Sequence, residues 1–281
     1  MLSYRHGFHA GNHADVLKHV VLARLLHHLA QKEKPFWYID SHAGAGSYLL
    51  DRGYAAKNAE YADGVGRLWE RTDVPESVAD YLRLVRHLNP DGKLRRYPGS
   101  PLCALPLLRE GDRMRLFELH GGDAAQLRHA LAHDTRHIAI REEDGFAGLR
   151  ALLPPPPRRA LVLIDPSYED KRDYARVLEA LDDGLRRFAT GIYALWYPQL
   201  RRPESRRLPE RLKQHAGTHW LHVALTVRAP AKAGFGMHGS GLLIVNPPWS
   251  LAPALESVLP FLAAVLGQDE GAGFQLERSA P

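Results

Sequence analysis

Leu161-Val162-Leu163-Ile164-Asp165-Pro166-Ser167-Tyr168 is the stretch whose reading decides the fold. Four aliphatic residues in a row, entered from Arg158-Arg159 and left through Asp-Pro, have the pattern of a strand buried on both faces, as in a parallel sheet covered by helices. Proline breaks the strand and restricts the residue before it, so Asp165 marks a sharp strand end. Open parallel sheets bind ligands outside the carboxyl ends of their strands. At such a place a carboxylate, a constrained carbonyl and an aromatic ring suit a planar base carrying an exocyclic amine. Asp165 accepts one N–H of the amine, the Pro166 carbonyl the other, and Tyr168 stacks on the ring. The blander alternative is an ordinary strand ending at Asp-Pro, and the tetrapeptide alone does not choose between them.

Working toward the amino terminus, Pro35–Asp40 reads as a second strand ending in an acid, followed by the turn Ser41-His42-Ala43-Gly44-Ala45-Gly46. An acid-tipped strand before a glycine-rich turn is the nucleotide end of a Rossmann-like fold, with glycines letting the backbone approach a ligand. The turn is not the phosphate-cradling G-x-G-x-x-G and no Walker lysine follows, so a sulfonium nucleoside such as S-adenosylmethionine fits better than NAD or ATP. The next acid-tipped strand, Arg113–Glu118, places Glu118 for the ribose hydroxyls, 78 residues after Asp40. The usual interval is ~20 residues, and the surplus predicts an inserted helical subdomain over residues 48–97, with no strand in it. Ser100, after Tyr97-Pro98-Gly99, either caps the next helix or touches the ligand.

Upstream, residues 1–13 form a loop or tail, and Asn12 caps a helix from Ala14 to about Leu29. Lys18 on that helix meets an anionic group of a ligand, such as the cofactor carboxylate, or sits on a solvated face. Downstream the units keep alternating: a strand at His137–Ile140 leads to Glu143-Asp144-Gly145, and a strand Ile192–Trp196 is closed by Pro198. The basic run 201–213 is a candidate surface for an anionic partner, its bland alternative being a solvated helix face. Strands over 219–228 and 241–246 are joined without a helix. A helix covers 252–266, and the last dozen residues look loosely held.

Asn246-Pro247-Pro248-Trp249 matches the amino-methyltransferase tetrapeptide [D/N/S]-P-P-[Y/F/W] better than Asp165-Pro166-Ser167-Tyr168 does. Topology favours Asp165. A hairpin of 219–228 and 241–246 runs one strand antiparallel to the rest, so Asn246 points to the opposite edge from the glycine turn.

At 281 residues the chain suits a single α/β domain with an insertion, and no segment approaches a membrane span. The lone Cys103 fits a reducing cytoplasm. A net charge of +5 is a mild bias toward an anionic partner. Sixteen histidines raise the question of a metal. His9 and His13 are four apart, but Gly11 and Asn12 interrupt the helix that spacing needs, and no H-E-x-x-H or cysteine partner exists, so no metal is expected.

With these residues assembled, the chain resembles the RlmJ-type methyltransferases, which modify an adenine N6 in 23S ribosomal RNA. The likeness runs over nearly the whole length: MLSYRHGFHAGNHADVLKH, DSHAGAG, YPGSP, the Glu118 strand, Asp144-Gly145, FATGIYALWYP and NPPW. The opening run is the most specific. The resemblance implies a Rossmann-like class I methyltransferase fold, mostly parallel with an antiparallel last strand. It implies S-adenosylmethionine contacts at His19, His42, Ser100, Glu118, Asp144 and Gly145, with S-adenosylhomocysteine as product; the turn glycines Gly44 and Gly46 and the helix residue Lys18 are cofactor candidates from the residue pattern itself. It also implies a catalytic Asp165 and substrate contacts at Tyr4, His6, Pro166 and Tyr168. The partner would be 23S ribosomal RNA, naked or in early assembly. Ser167 departs from the general pattern, where a second proline stands, and loosens the turn while sparing Pro166 and Tyr168.

Hydrogen bonds from N6–H to Asp165 and Pro166 favour a pyramidal nitrogen with its lone pair aimed at the methyl group; Asp165 or water then takes the proton. Tyr4, Arg5 and His6 close over the base or form a loose terminus. Other readings of the same pattern are a DNA adenine methyltransferase, an NAD-dependent oxidoreductase and a non-catalytic RNA-binding protein on this fold.

Overall fold

The computed structural model of the protein describes residues 6–133, 137–231 and 236–279. Helix α1 (His13–Ala30) opens it, capped by Asn12, whose side-chain oxygen accepts the N–H groups of Ala14 and Asp15. Strand β1 (Trp37–Asp40) follows. Between it and the next sheet strand come β2 (Ser47–Leu49), α2 (Gly53–Asn58), α3 (Glu76–His87), β3 (Arg96–Pro98) and α4 (Ser100–Ala104). Then β4 (Arg113–Phe117), α5 (Gly121–Ala130), β5 (Ile138–Arg141), α6 (Gly145–Leu152), β6 (Ala160–Ile164), α7 (Asp173–Arg187) and β7 (Ile192–Gln199) alternate. The chain ends with α8 (Pro203–Ala216), β8 (Trp220–Thr226), β9 (Gly239–Val245), α9 (Leu251–Leu266) and β10 (Gly273–Arg278).

Eight strands form one sheet in the order β10-β8-β9-β7-β6-β1-β4-β5. The run from β7 to β5 is parallel, and β9 is antiparallel to both β7 and β8. This is a Rossmann-like sheet, mostly parallel with an antiparallel flank. All five residues of β6 are buried, as its unbroken aliphatic run requires. Each such side chain contributes about 1.5–3 kcal/mol by leaving water. Because β6 lies beside β1, the Ser41 N–H donates to the Leu163 carbonyl at 3.1 Å, and the Asp165 corner stands next to the glycine turn.

The reversed β9 sets the two tetrapeptides at opposite edges of the sheet. Asn246 follows its last residue at the opposite edge, where its amide donates at 2.7 Å to the carbonyls of both Ala189 and Gly191. With φ 54° it occupies the left-handed region that asparagine tolerates better than most residues. Asn246→Ala is therefore expected to lower stability by about 1–2 kcal/mol, through two orphaned carbonyls and a strained backbone. Methyl transfer should be unchanged when unfolding and turnover are measured side by side.

Three elements differ from the sequence expectation. The short strands β2 and β3 pair with each other within a segment read as having none. Strand β7 runs through Pro198 to Gln199 instead of stopping; β6 has ended by then, so residues 196–199 pair only with β9 and proline's missing N–H is tolerated on the open side. Residues 273–278, within the stretch read as loosely held, form β10, an antiparallel strand added to β8.

Candidate active site

A cavity of about 800 Å³ opens at the carboxyl ends of β1, β4 and β6. At its floor Asp40 is fully buried. It accepts the Tyr38 hydroxyl at 2.7 Å, the Ser100 hydroxyl at 2.6 Å and the His42 N–H at 3.1 Å. Ser100 thus ties β1 to α4 and does not act as its cap. Gly44, at φ 64°, turns the chain so that its N–H meets a Glu118 oxygen at 2.9 Å. The other Glu118 oxygen accepts the His120 N–H at 2.7 Å. Burial raises the Glu118 carboxyl above its ordinary value, and these backbone donors only partly offset it. Gly46, expected at the ligand, does not line the cavity; its carbonyl accepts the Gly99 N–H at 2.7 Å, and its role is to turn the chain onto β2.

Asp144 caps α6 by accepting the Phe146 N–H at 3.0 Å and is paired with Arg176. Gly145 must be glycine: a Cβ there would lie 1.8 Å from the Ser41 carbonyl oxygen, so any side chain would push α6 off the glycine turn. His42 packs edge-on against Phe146 at 4.9 Å. His19 is fully buried with Nδ1 on the Tyr97 hydroxyl at 2.9 Å, and its Nε2 has no partner among the described residues. Burial lowers the His19 and His42 imidazoles to about 3 and about 4, so both are neutral near pH 7.

Asp165 stands at the β6 corner. Its Oδ2 accepts the Lys18 ammonium at 2.6 Å, while Oδ1 and the Pro166 carbonyl accept nothing from the described residues. Lys18 is no solvated residue. It is buried, and it bridges Asp165 to Asp15, whose Oδ1 lies 2.9 Å away. The other Asp15 oxygen meets His6 Nε2 at 3.0 Å and the Gly11 N–H at 2.9 Å. Burial opposes the Lys18 charge, but the two carboxylates outweigh it and hold its pKa well above the ordinary value. Burial also pushes Asp165 up, to about 6, with Lys18 pulling it back.

Tyr168 departs from the stacking role expected for it. At φ 56° the chain turns its ring under the loop, where it is buried against Tyr174 at 4.8 Å and donates its hydroxyl to the Trp196 carbonyl at 2.7 Å. It shapes the wall of the cavity without offering an open face. Tyr4 and Arg5 lie outside the described residues. The residue that sequence reasoning missed is Asp15. The sequence offered only an acid and a lysine three apart on one helix; their need for partners inside the protein follows from the burial of fourteen of the eighteen residues of α1, which the structure shows.

The lining fits a sulfonium nucleoside. Among the described lining residues, eight carboxylates face the cavity against one lysine and three arginines, an environment favourable to a cation and adverse to a diphosphate. His19 Nε2 awaits a polar partner, and Glu118 stands at the strand end where ribose hydroxyls are bound in such sheets. No group of three or more metal-ligating side chains occurs among the described residues.

A family model described as "Ribosomal RNA large subunit methyltransferase D, RlmJ" matches residues 33–277. "Ribosomal RNA large subunit methyltransferase J" of Haemophilus influenzae is 46% identical over 274 residues, 97% of this chain and 96% of that protein. Its Escherichia coli counterpart is 47% identical over 266 residues, 95% and 94% of the two chains. A crystal structure from Legionella pneumophila superposes with a TM-score of 0.89 at 33% identity, covering 97% of this chain and 99% of that one. Matched across nearly its whole length in sequence and in fold, the chain belongs to the RlmJ family of large-subunit ribosomal RNA methyltransferases.

Proposed function

We propose that this chain methylates the N6 amine of an adenine in 23S ribosomal RNA with S-adenosylmethionine. The observation that carries the reading is the pair of open acceptors at the β6 corner, Asp165 Oδ1 and the Pro166 carbonyl, beside a cavity lined by acids. The two acceptors match the two hydrogens of an exocyclic amine. When bound, the cofactor supplies an activated methyl group on a positively charged sulfur. Glu118, His19, His42, Ser100 and the Gly44 and Asp144-Gly145 turns are the residues to hold it.

The N6 lone pair is delocalised into the ring and needs concentrating before it can attack. Asp165 and Pro166 do this by holding both N–H groups out of the ring plane, and in-line positioning contributes the rest. Asp165, ionised above about pH 6, is the group placed to receive the proton that the methylated amine sheds. Lys18 fixes the carboxylate's orientation through Oδ2 and leaves Oδ1 for the base. The base must leave any stack to arrive there, which supports free or early-assembly RNA as substrate. No described helix is long and apolar enough to cross a membrane.

The reading is tested by incubating the protein with labelled S-adenosylmethionine and, separately, ribosomal RNA, DNA and adenosine. The expected product is N6-methyladenosine in the ribosomal RNA alone; label elsewhere, or none, overturns the reading. The ribose assignment has its own test. Glu118→Ala should weaken cofactor binding roughly ten- to hundredfold, the worth of charged hydrogen bonds of about 1.5–3 kcal/mol. Calorimetry giving an unchanged dissociation constant would remove Glu118 from the site.

A further inference from the structure

The acid-rich cavity takes a base and a cation but is a poor seat for a polynucleotide backbone. Beside it lies a groove of opposite character, about 460 Å³, walled by Leu200, Arg201, Arg206, Pro230 and His238, with no carboxylate among its described lining residues. The two spaces adjoin: Leu200 lines both, and its near neighbours Pro198 and Arg202 line the cavity. An adenosine extruded toward Asp165 leaves its flanking phosphates near the cavity rim.

Resting on the reading above, we propose that this groove holds the phosphodiester backbone flanking the target adenosine, with Arg201 and Arg206 as phosphate contacts.

The turn that presents these arginines is fixed from within. The Ser205 hydroxyl donates to the Pro198 carbonyl at 2.6 Å and accepts the Leu200 N–H at 3.0 Å. The Arg201 guanidinium donates to the Ala231 carbonyl at 3.0 Å. On the far wall the His238 N–H donates to the Gln199 carbonyl at 3.1 Å, anchoring that side to the end of β7. His238 Nδ1 is buried and has no partner among the described residues. The basic run of 201–213 is thereby divided. Arg206 faces the groove, Arg207 and Arg211 are exposed but do not line it, and Lys213 is engaged by Glu210 and Glu277, each at 2.7 Å.

That division supplies the control. Two variants each remove two positive charges from the full chain: Arg201→Gln with Arg206→Gln in the groove, and Arg207→Gln with Arg211→Gln outside it. Binding of a labelled single-stranded ribosomal RNA fragment is followed against salt concentration, with S-adenosylmethionine affinity and thermal unfolding measured alongside. Each phosphate contact to a single strand contributes about 0.7 to the slope of log affinity against log salt. The groove pair should flatten the slope by about 1.4 and weaken binding about tenfold or more at low salt, with cofactor affinity unchanged. The outer pair should leave the slope near that of the parent. Arg206→Lys, which keeps the charge, should retain most of the affinity and guards against a folding defect in the double variant. Equal effects from both pairs, or none from the groove pair, overturn the proposal while leaving the methyltransferase reading intact. A parent protein that binds no RNA overturns both.

Discussion

Asp165→Ala is expected to reduce methyl transfer by about 10²–10⁴-fold, the range in which a positioned acid–base group acts, while cofactor affinity changes little. The carboxylate faces the amine pocket, and Glu118 on the neighbouring strand carries the ribose assignment. The pH dependence has a definite sign. Asp165 works as an acceptor only when ionised, and burial lifts its pKa to about 6. The rate should rise about tenfold per pH unit below that value and level off above it, a limb that Asp165→Asn would abolish. Near-normal turnover in Asp165→Ala, or a profile flat from pH 5 to 8 in the parent, would remove Asp165 from the chemistry.

Lys18→Met is expected to be the most damaging substitution for stability. It leaves Asp15 and Asp165 buried without the cation they share, and breaking a buried ionic pair from one side costs about 3–5 kcal/mol. With Lys18 gone, nothing at that contact pulls the Asp165 pKa down, so its acid limb should move to higher pH. Adding Asp15→Asn to Lys18→Met removes one of the stranded charges and should recover part of the stability. The activity should stay low, since Asp165 is still without its partner. Chemical denaturation of the single and double variants checks both statements, and additive losses would show that Asp15 and Lys18 do not act through each other.

How far the sequence reached follows from what each residue needed in order to be recognised. Asp165 and Glu118 were legible because each ends a strand whose aliphatic or alternating run identifies it, and the parallel order of strands assigns both to one edge. The rival Asn246 was set aside on strand direction alone, and β9 runs as that reasoning required. Lys18 was misjudged because its partner lies 147 residues away, and because α1 looks amphipathic when in fact it is enclosed on nearly every side. Periodicity records which residues are apolar, not how many neighbours a helix will have. Tyr168 was misread because the pattern places an aromatic residue near the base without saying which way a left-handed backbone will turn its ring. Gly46 looked like the other glycines of its turn; only the hydrogen bond from Gly99 distinguishes a residue that shapes the loop from one that touches a ligand.

The strand β10 bears on how the protein is handled. Without it the sheet would end on β8, whose backbone donors and acceptors would form an unpaired, largely buried-type edge of the kind that recruits other chains. In its place the outermost strand presents Gln275, Glu277 and Arg278 to solvent, and Lys213 clamps Glu277 to α8. These residues lie outside the cavity lining, and their charges blunt an edge that would otherwise present β8 to other chains. Trimming or fusing the chain within 273–278 would trade a guarded rim for an adhesive one, so purification tags belong beyond that strand.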